Sequence, residues 1–224
     1  MEWVTNTAIL NGLRATQSRE AWDVFVEHFR PMLVNYARNF DLPSNCREDA
    51  AQETLTQFVE QLRAGKYERQ RGRLHDWLFG IAHNVILAYA RSLPRERPMS
   101  DVAGEGSPFE QLANEDAAKH TWDTEWRNMV LVGCLKRASR DFTGKTFEAF
   151  WLCAHDGKAA GDVARELGMT VQAVYMAKHH VLAKMREYVS KGCEIFFWRC
   201  VSAFVYWPYE SLLRVNCFCI SKGL

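Results

Sequence analysis

Apolar residues return at three- and four-residue steps in one segment after another of this chain, and no segment shows the two-residue alternation of a half-buried strand. A chain patterned this way buries one side of each segment as a helix, so an all-α fold is predicted. Proline- and glycine-bearing breaks sort the helices into two groups. Two small helical domains joined by a flexible linker are therefore expected, and 224 residues are enough for both. Charged residues make up 25% of the chain, which argues against wholesale disorder.

The first predicted helix runs over about 18–40, capped by Ser18 with Glu20 in its first turn. Trp22, Phe25, Val26, Phe29, Leu33, Tyr36 and Ala37 share its apolar side, and Pro31 is expected to kink or divide it. A break over 41–46 precedes a second helix at about 47–63, with Ala51, Leu55, Phe58, Val59 and Leu62 inward and Gly65 at its end. A third, about 74–92, aligns Leu74, Trp77, Leu78, Ile81, Val85 and Tyr89 and stops at Leu93-Pro94. These helices define a first module over 1–93.

Residues 94–119 read as the linker. Pro94, Pro98, Gly104, Gly106, Ser107 and Pro108 punctuate it, and 101–126 carries seven acids against the single base Lys119. Such a segment is expected to be a solvated acidic spacer. The second module spans 120–190, with helices predicted at 120–140, 144–155, 159–167 and 170–188. In the third of these Ala160, Val163, Ala164 and Leu167 form a stripe that Gly168 closes. Thr170 starts the last, in which Val171, Val174, Ala177, Val181 and Leu182 face inward. A short helix, a glycine-bearing turn and a longer helix form the pattern of a helix-turn-helix.

The net charge is only +1, so any nucleic-acid surface must come from local clustering. Residues 63–97 provide it. Arg63, Lys66, Arg69, Arg71, Arg73, Arg91, Arg95 and Arg97 face three acids, with Tyr67, Trp77 and Tyr89 interleaved. Arginines pair with phosphates and rings stack on bases, the chemistry of single-strand binding. A solvated basic loop over a core tryptophan accounts for the same residues. In the helix-turn-helix, Gln172, Tyr175, Met176, Lys178, His179 and Lys184 point outward, and glutamine and lysine suit base edges in a major groove. A purely structural helical hairpin is the plainer alternative. Glu48, Asp49 and Glu53 around Gln52 open the second helix, where acids favour the helix dipole or offer a docking face to a basic partner.

No catalytic constellation is found. The chain has no phosphate-cradling glycine loop and no nucleophile elbow. His179 and His180 are adjacent and point apart, and Cys217-Phe218-Cys219 would need distant partners to hold zinc, so no metal or cofactor is expected. The seven cysteines are odd in number, and residues 1–20 lack a basic head followed by an apolar run. A reducing cytoplasm is the expected location. No run approaches the ~18 apolar residues of a membrane span.

Together the segments resemble the extracytoplasmic-function group of bacterial sigma factors, over about 18–190. Asp49-Ala50-Ala51-Gln52-Glu53-Thr54-Leu55 is similar to the family's docking helix in region 2, D-x-x-Q-E. The resemblance implies that Asp49, Gln52 and Glu53 bind the coiled coil of the polymerase β′ subunit. Gly72-Arg73-Leu74-His75-Asp76-Trp77-Leu78-Phe79-Gly80-Ile81-Ala82-His83-Asn84, continuing to Arg91, is similar to G-x-F-x-x-W-L-x-x-I-A-x-N. It implies capture of a flipped base of the −10 element, with Tyr67, Arg71, Arg73, Trp77, Asn84 and Arg91 as the single-strand set; Trp77 is read mainly as core. Gly161 through Leu182 looks like region 4. It implies −35 duplex recognition by Thr170, Gln172, Ala173, Tyr175, Met176, Lys178, His179 and His180, with the β flap of polymerase as a further contact. Met176-Ala177 stand where many relatives have Ser-Arg, His180 where they have Arg, and Asp141-Phe142 where they have Leu-Pro. The implied role is that of a non-enzymatic initiation factor, with core RNA polymerase and promoter DNA as partners and an anti-sigma protein as a further one. DNA affinity by itself is expected to be weak and salt-sensitive.

Residues 191–224 lie outside that pattern. Phe196, Phe197, Trp198, Phe204, Tyr206, Trp207, Tyr209 and Phe218 accompany four cysteines, while Arg199, Pro208, Glu210 and Arg214 interrupt any membrane span. An extra helix packed on the second module, a surface that binds a partner or a membrane, and an extension with no role of its own all fit, with membrane contact the least expected. A dimeric helix-turn-helix regulator and an enzyme with a DNA-binding appendage are the rival classes. The first leaves the acidic motif and the basic aromatic loop unexplained; the second lacks a carboxylate cluster or nucleophile.

Overall fold

Amphipathic periodicity becomes helix throughout the computed structural model, which describes residues 7–14, 19–68, 70, 72–93 and 107–192. The described residues form nine helices and no strand. They are α1 (Thr7–Arg14), α2 (Arg19–Arg38), α3 (Ser44–Arg63), α4 (Leu74–Ser92), α5 (Pro108–Ala113), α6 (Glu115–Asp141), α7 (Gly144–Ala154), α8 (Ala160–Leu167) and α9 (Val171–Gly192). The chain divides into two units, Met1–Met129 and Val130–Leu224. Ser18, Arg69, Arg71, residues 94–106 and the aromatic extension lie outside the described residues.

In the first unit α2, α3 and α4 pack around aromatic rings. Phe25 stacks on Phe58 with centroids 4.7 Å apart, and Phe58 leans on Trp77 at 5.0 Å. α2 runs through Pro31 without dividing. Buried Phe25 and Phe29 before the proline, and Met32, Leu33, Tyr36 and Ala37 after it, hold both halves against the core despite the missing N–H. α3 begins at Ser44, three residues earlier than the break over 41–46 suggests. Its last turn closes as the pattern predicts: Gly65 takes φ +71, with Gly65 N–H donating to Leu62 O (3.1 Å) and Lys66 N–H to Gln61 O (3.0 Å). Leu93 is extended, as a residue before proline should be.

α1 is not evident from the sequence pattern. It buries Leu10 and Leu13, and Arg63 and Arg14 tie it to the end of α3 and the following loop through Leu13 O (3.1 Å) and Tyr67 O (3.2 Å).

The linker expected up to 119 is helical from Pro108 onward. Ser107 and Glu110 form a capping box, with Ser107 Oγ accepting from Glu110 N–H (3.2 Å) and Glu110 Oε2 from Ser107 N–H (2.8 Å). Pro108 occupies the first turn, where its missing N–H costs nothing. Asn114 Oδ1 then accepts from Asp116 and Ala117 N–H, both at 3.1 Å, and starts α6 with Glu115 and Asp116 at its positive end. Of the acids in that stretch, Glu110, Glu115 and Asp116 stand in first turns and act as helix-start signals. Leu112, Ala118, Trp122 and Trp126 bury into the first unit, so 108–129 belongs to it.

The second unit comprises the rest of α6 with α7, α8 and α9. Ala149, Cys153, Val163, Ala164, Val174 and Ala177 form a core, with Leu152, Ala160, Leu167 and Met169 around it. Gly168 ends α8 at φ +61, and Met169 N–H reaches back to Ala164 O at 2.9 Å. Tyr188 donates to Asp141, which fastens α9 to the end of α6, and Arg137 lies 4.6 Å from the Tyr188 ring.

Candidate functional site

α3 presents its acidic motif to solvent because its opposite side is committed to the core. Ala50, Ala51, Thr54 and Leu55 are buried, and the buried Thr54 hydroxyl is satisfied by Ala50 O at 2.7 Å. Asp49, Gln52 and Glu53, at positions i, i+3 and i+4, share the exposed side. Glu53 accepts from Gln57 Nε2 at 2.8 Å, and Arg30 pairs with Glu48 at 2.9 Å beside the row. Tyr89, from the last turns of α4, adjoins this face. Its hydroxyl pKa is raised by desolvation and by the charges of Asp49 and Glu53. The row can receive cationic side chains from a partner without any core residue moving.

The proposed single-strand residues divide. Arg73, Asn84 and Arg91 are exposed and Trp77 is half-buried. Trp77, Asn84 and Arg91 recur every seven residues, and Arg73 precedes Trp77 by four, so the four follow one side of α4 over about 27 Å. Tyr67 departs from the surface expected of a base-stacking residue. It is 5% exposed, and its ring lies on Trp77 with centroids 4.8 Å apart and planes 23° from parallel. The face a base would use is occupied by Trp77. Arg71 lies outside the described residues.

In the second unit α8 and α9 meet at the Gly168 turn. Thr170 is a cap here, its Oγ1 accepting from Ala173 N–H at 3.1 Å. Gln172, Tyr175, Met176, His179 and His180 are exposed, Ala173 and Lys178 half-buried, and Val174, Ala177 and Val181 buried. Val171, expected to face inward, is 44% exposed. The buried row starts at Val174, and Val171 is the first residue of α9.

Sequence reasoning missed a polar cluster beneath the first unit's aromatic core. His75 is buried; its Nδ1 lies 2.9 Å from Asp76 Oδ1 and its Nε2 3.0 Å from Asp123 Oδ1. Lys119 reaches Asp76 at 2.5 Å and sits 4.7 Å from the Phe79 ring. Burial, then the Lys119 charge, lowers the His75 pKa, and the two nearby carboxylates only partly oppose this. Asp76 is partly desolvated, which raises its pKa, but hydrogen bonds from Lys119 and His75 outweigh that and hold it below the usual carboxylate value. The cluster joins α6 to α4, a structural task. Its signal was the four-residue spacing of Ala118, Trp122 and Trp126 within a stretch dominated by acids. Among the described residues no three His, Cys, Asp or Glu side chains gather as a metal site.

No curated protein and no solved structure matches the chain. Residues 25–96, from the middle of α2 past the end of α4, match the family model of sigma-70 region 2. That segment, about a third of the chain, holds the exposed acidic row of α3 together with Arg73, Trp77, Asn84 and Arg91, and it is the part of the chain that is similar to sigma-70 region 2.

Proposed function

We propose that this chain is an extracytoplasmic-function-type sigma factor acting in the cytoplasm. Asp49, Gln52 and Glu53 dock on the β′ coiled coil of core polymerase. Arg73, Asn84 and Arg91, with Arg71, hold the non-template strand of the −10 element. Trp77 and Tyr67 form the aromatic floor beneath, and a flipped base enters only if that stack opens. The helix-turn-helix of α8 and α9 anchors on −35 duplex through Gln172, Tyr175, Met176, Lys178, His179 and His180, with Thr170 and Ala173 building the helix start. The second unit also meets the β flap, and an anti-sigma protein holds the factor inactive until a signal arrives. Nucleotide addition belongs to the polymerase. The exposed acidic row within the segment similar to sigma-70 region 2 carries this reading most directly.

The Asp49→Lys/Glu53→Lys double variant tests it. Both side chains are exposed, so circular dichroism and melting should match the parent, while co-elution with core polymerase should be lost. Undiminished core binding by the folded variant would remove the docking assignment.

A further inference from the structure

Three large apolar side chains stand out among the described residues as exposed: Val171 at 44%, Tyr175 at 59% and Met176 at 42%. All three lie in the first two turns of α9. Gln172 and His179 are exposed beside them. Their exposure does not come from loose packing, because the opposite side of α9 is buried through Val174, Ala177, Val181 and Met185. The Thr170 cap fixes where the helix starts, and the Gly168 turn fixes how it leaves α8.

An apolar patch in this place needs an occupant. The surroundings favour an anionic one: residues 171–192 carry Lys178, Lys184, Arg186 and Lys191 against Glu187 alone, with His179 and His180 among them. A partner that is negatively charged outside and offers apolar groups within a groove is duplex DNA. Its major-groove apolar group is the thymine C5-methyl, since the other base edges there present hydrogen-bond donors and acceptors.

We infer that α9 reads thymine methyl groups through Met176 and Tyr175, with Val171 at the edge of the same contact. This rests on the proposed −35 reading and names its chemistry: recognition relies on apolar contact with A·T pairs, supplemented by Gln172 on adenine. Lys178 and Arg186 serve the phosphates, not the bases.

The test uses the full chain and a pool of random-sequence DNA duplexes at low salt, where phosphate contacts are strongest. The bound sequences are aligned, and each thymine of the preferred duplex is replaced singly by deoxyuridine, which removes only the methyl group. At one or more thymines, affinity should fall about fourfold, the size expected for one methyl-sized apolar contact. That penalty should persist in Met176→Leu and vanish in Met176→Ala or Tyr175→Ala. Both positions are exposed, so these variants should fold as the parent does. A preferred duplex indifferent to every deoxyuridine, or penalties unchanged in both alanine variants, overturns the methyl reading and leaves −35 recognition standing. Absence of any preferred duplex overturns the helix-turn-helix reading itself.

Discussion

At the scale of residues, the positions that a motif placed on the surface and those that the structure places there differ for identifiable reasons. Asp49, Gln52 and Glu53 were legible because their neighbours at 50, 51, 54 and 55 are small or apolar, and the alternation leaves them outward. Tyr67 was not: a tyrosine in a basic loop reads as a base platform, and nothing in the local sequence shows that Trp77, ten residues on, takes its ring face. Thr170 gave a cap signal and a DNA signal at once, and the hydrogen bond to Ala173 N–H identifies the cap. His75 titrates where its burial can be measured. Its folded pKa lies below the ordinary imidazole value of about 6.5, so the unfolded chain binds the proton more readily. Stability is therefore full above that value and falls as pH drops through it toward the folded value. The denaturant midpoint followed by tryptophan fluorescence should decrease between pH 7.5 and 5.5. His75→Gln should flatten the slope, leaving the part due to His83, whose pKa burial also lowers. An unaltered slope in His75→Gln would contradict the assignment.

At the scale of elements, helices with a clear stripe and a recognisable stop were readable to within a few residues, as α2, α4, α7 and α8 show. The acidic stretch before α6 has the net charge of a spacer but the local order of two helix starts. Ser107-Pro108 with Glu110, and Asn114 with Glu115 and Asp116, are start signals in their own right, and each acid there lies near a positive helix end. α1 stayed hidden because its eight residues are stabilised from outside, by Arg63 and by a hydrophobic seat shared with α2 and α3. Placing the first half of α6 in the first unit has an energetic consequence. Trp122 is fully buried and meets Tyr36 edge-on at 5.2 Å. Trp122→Ala should cost the first unit about 3–5 kcal/mol, as truncating a buried aromatic does elsewhere. Hydrogen exchange should show faster exchange in α2–α4 and no change in α8 and α9. Destabilisation confined to the second unit would refute the placement.

At the scale of the whole molecule, a net charge of +1 conceals a separation by surface. An acidic row on α3, a side of α4 where Arg73 and Arg91 flank Trp77 and Asn84, and an α9 with lysines and arginine around exposed apolar groups are three distinct faces on two units. In the proposed role the first attaches to core polymerase, the second grips a single strand and the third contacts duplex. The two-group organisation was visible in the sequence because prolines and glycines cluster between the groups. The position of the division, at 129–130 and not at 119–120, was not visible, since it depends on which core Trp122 and Trp126 enter.

The most direct test is run-off transcription from a pool of promoter fragments with purified core RNA polymerase, with and without the full chain. The proposal predicts new transcripts that appear only with the protein, whose templates share upstream −10 and −35 sequences. A chain that produces no such transcripts and does not co-purify with core polymerase would contradict it.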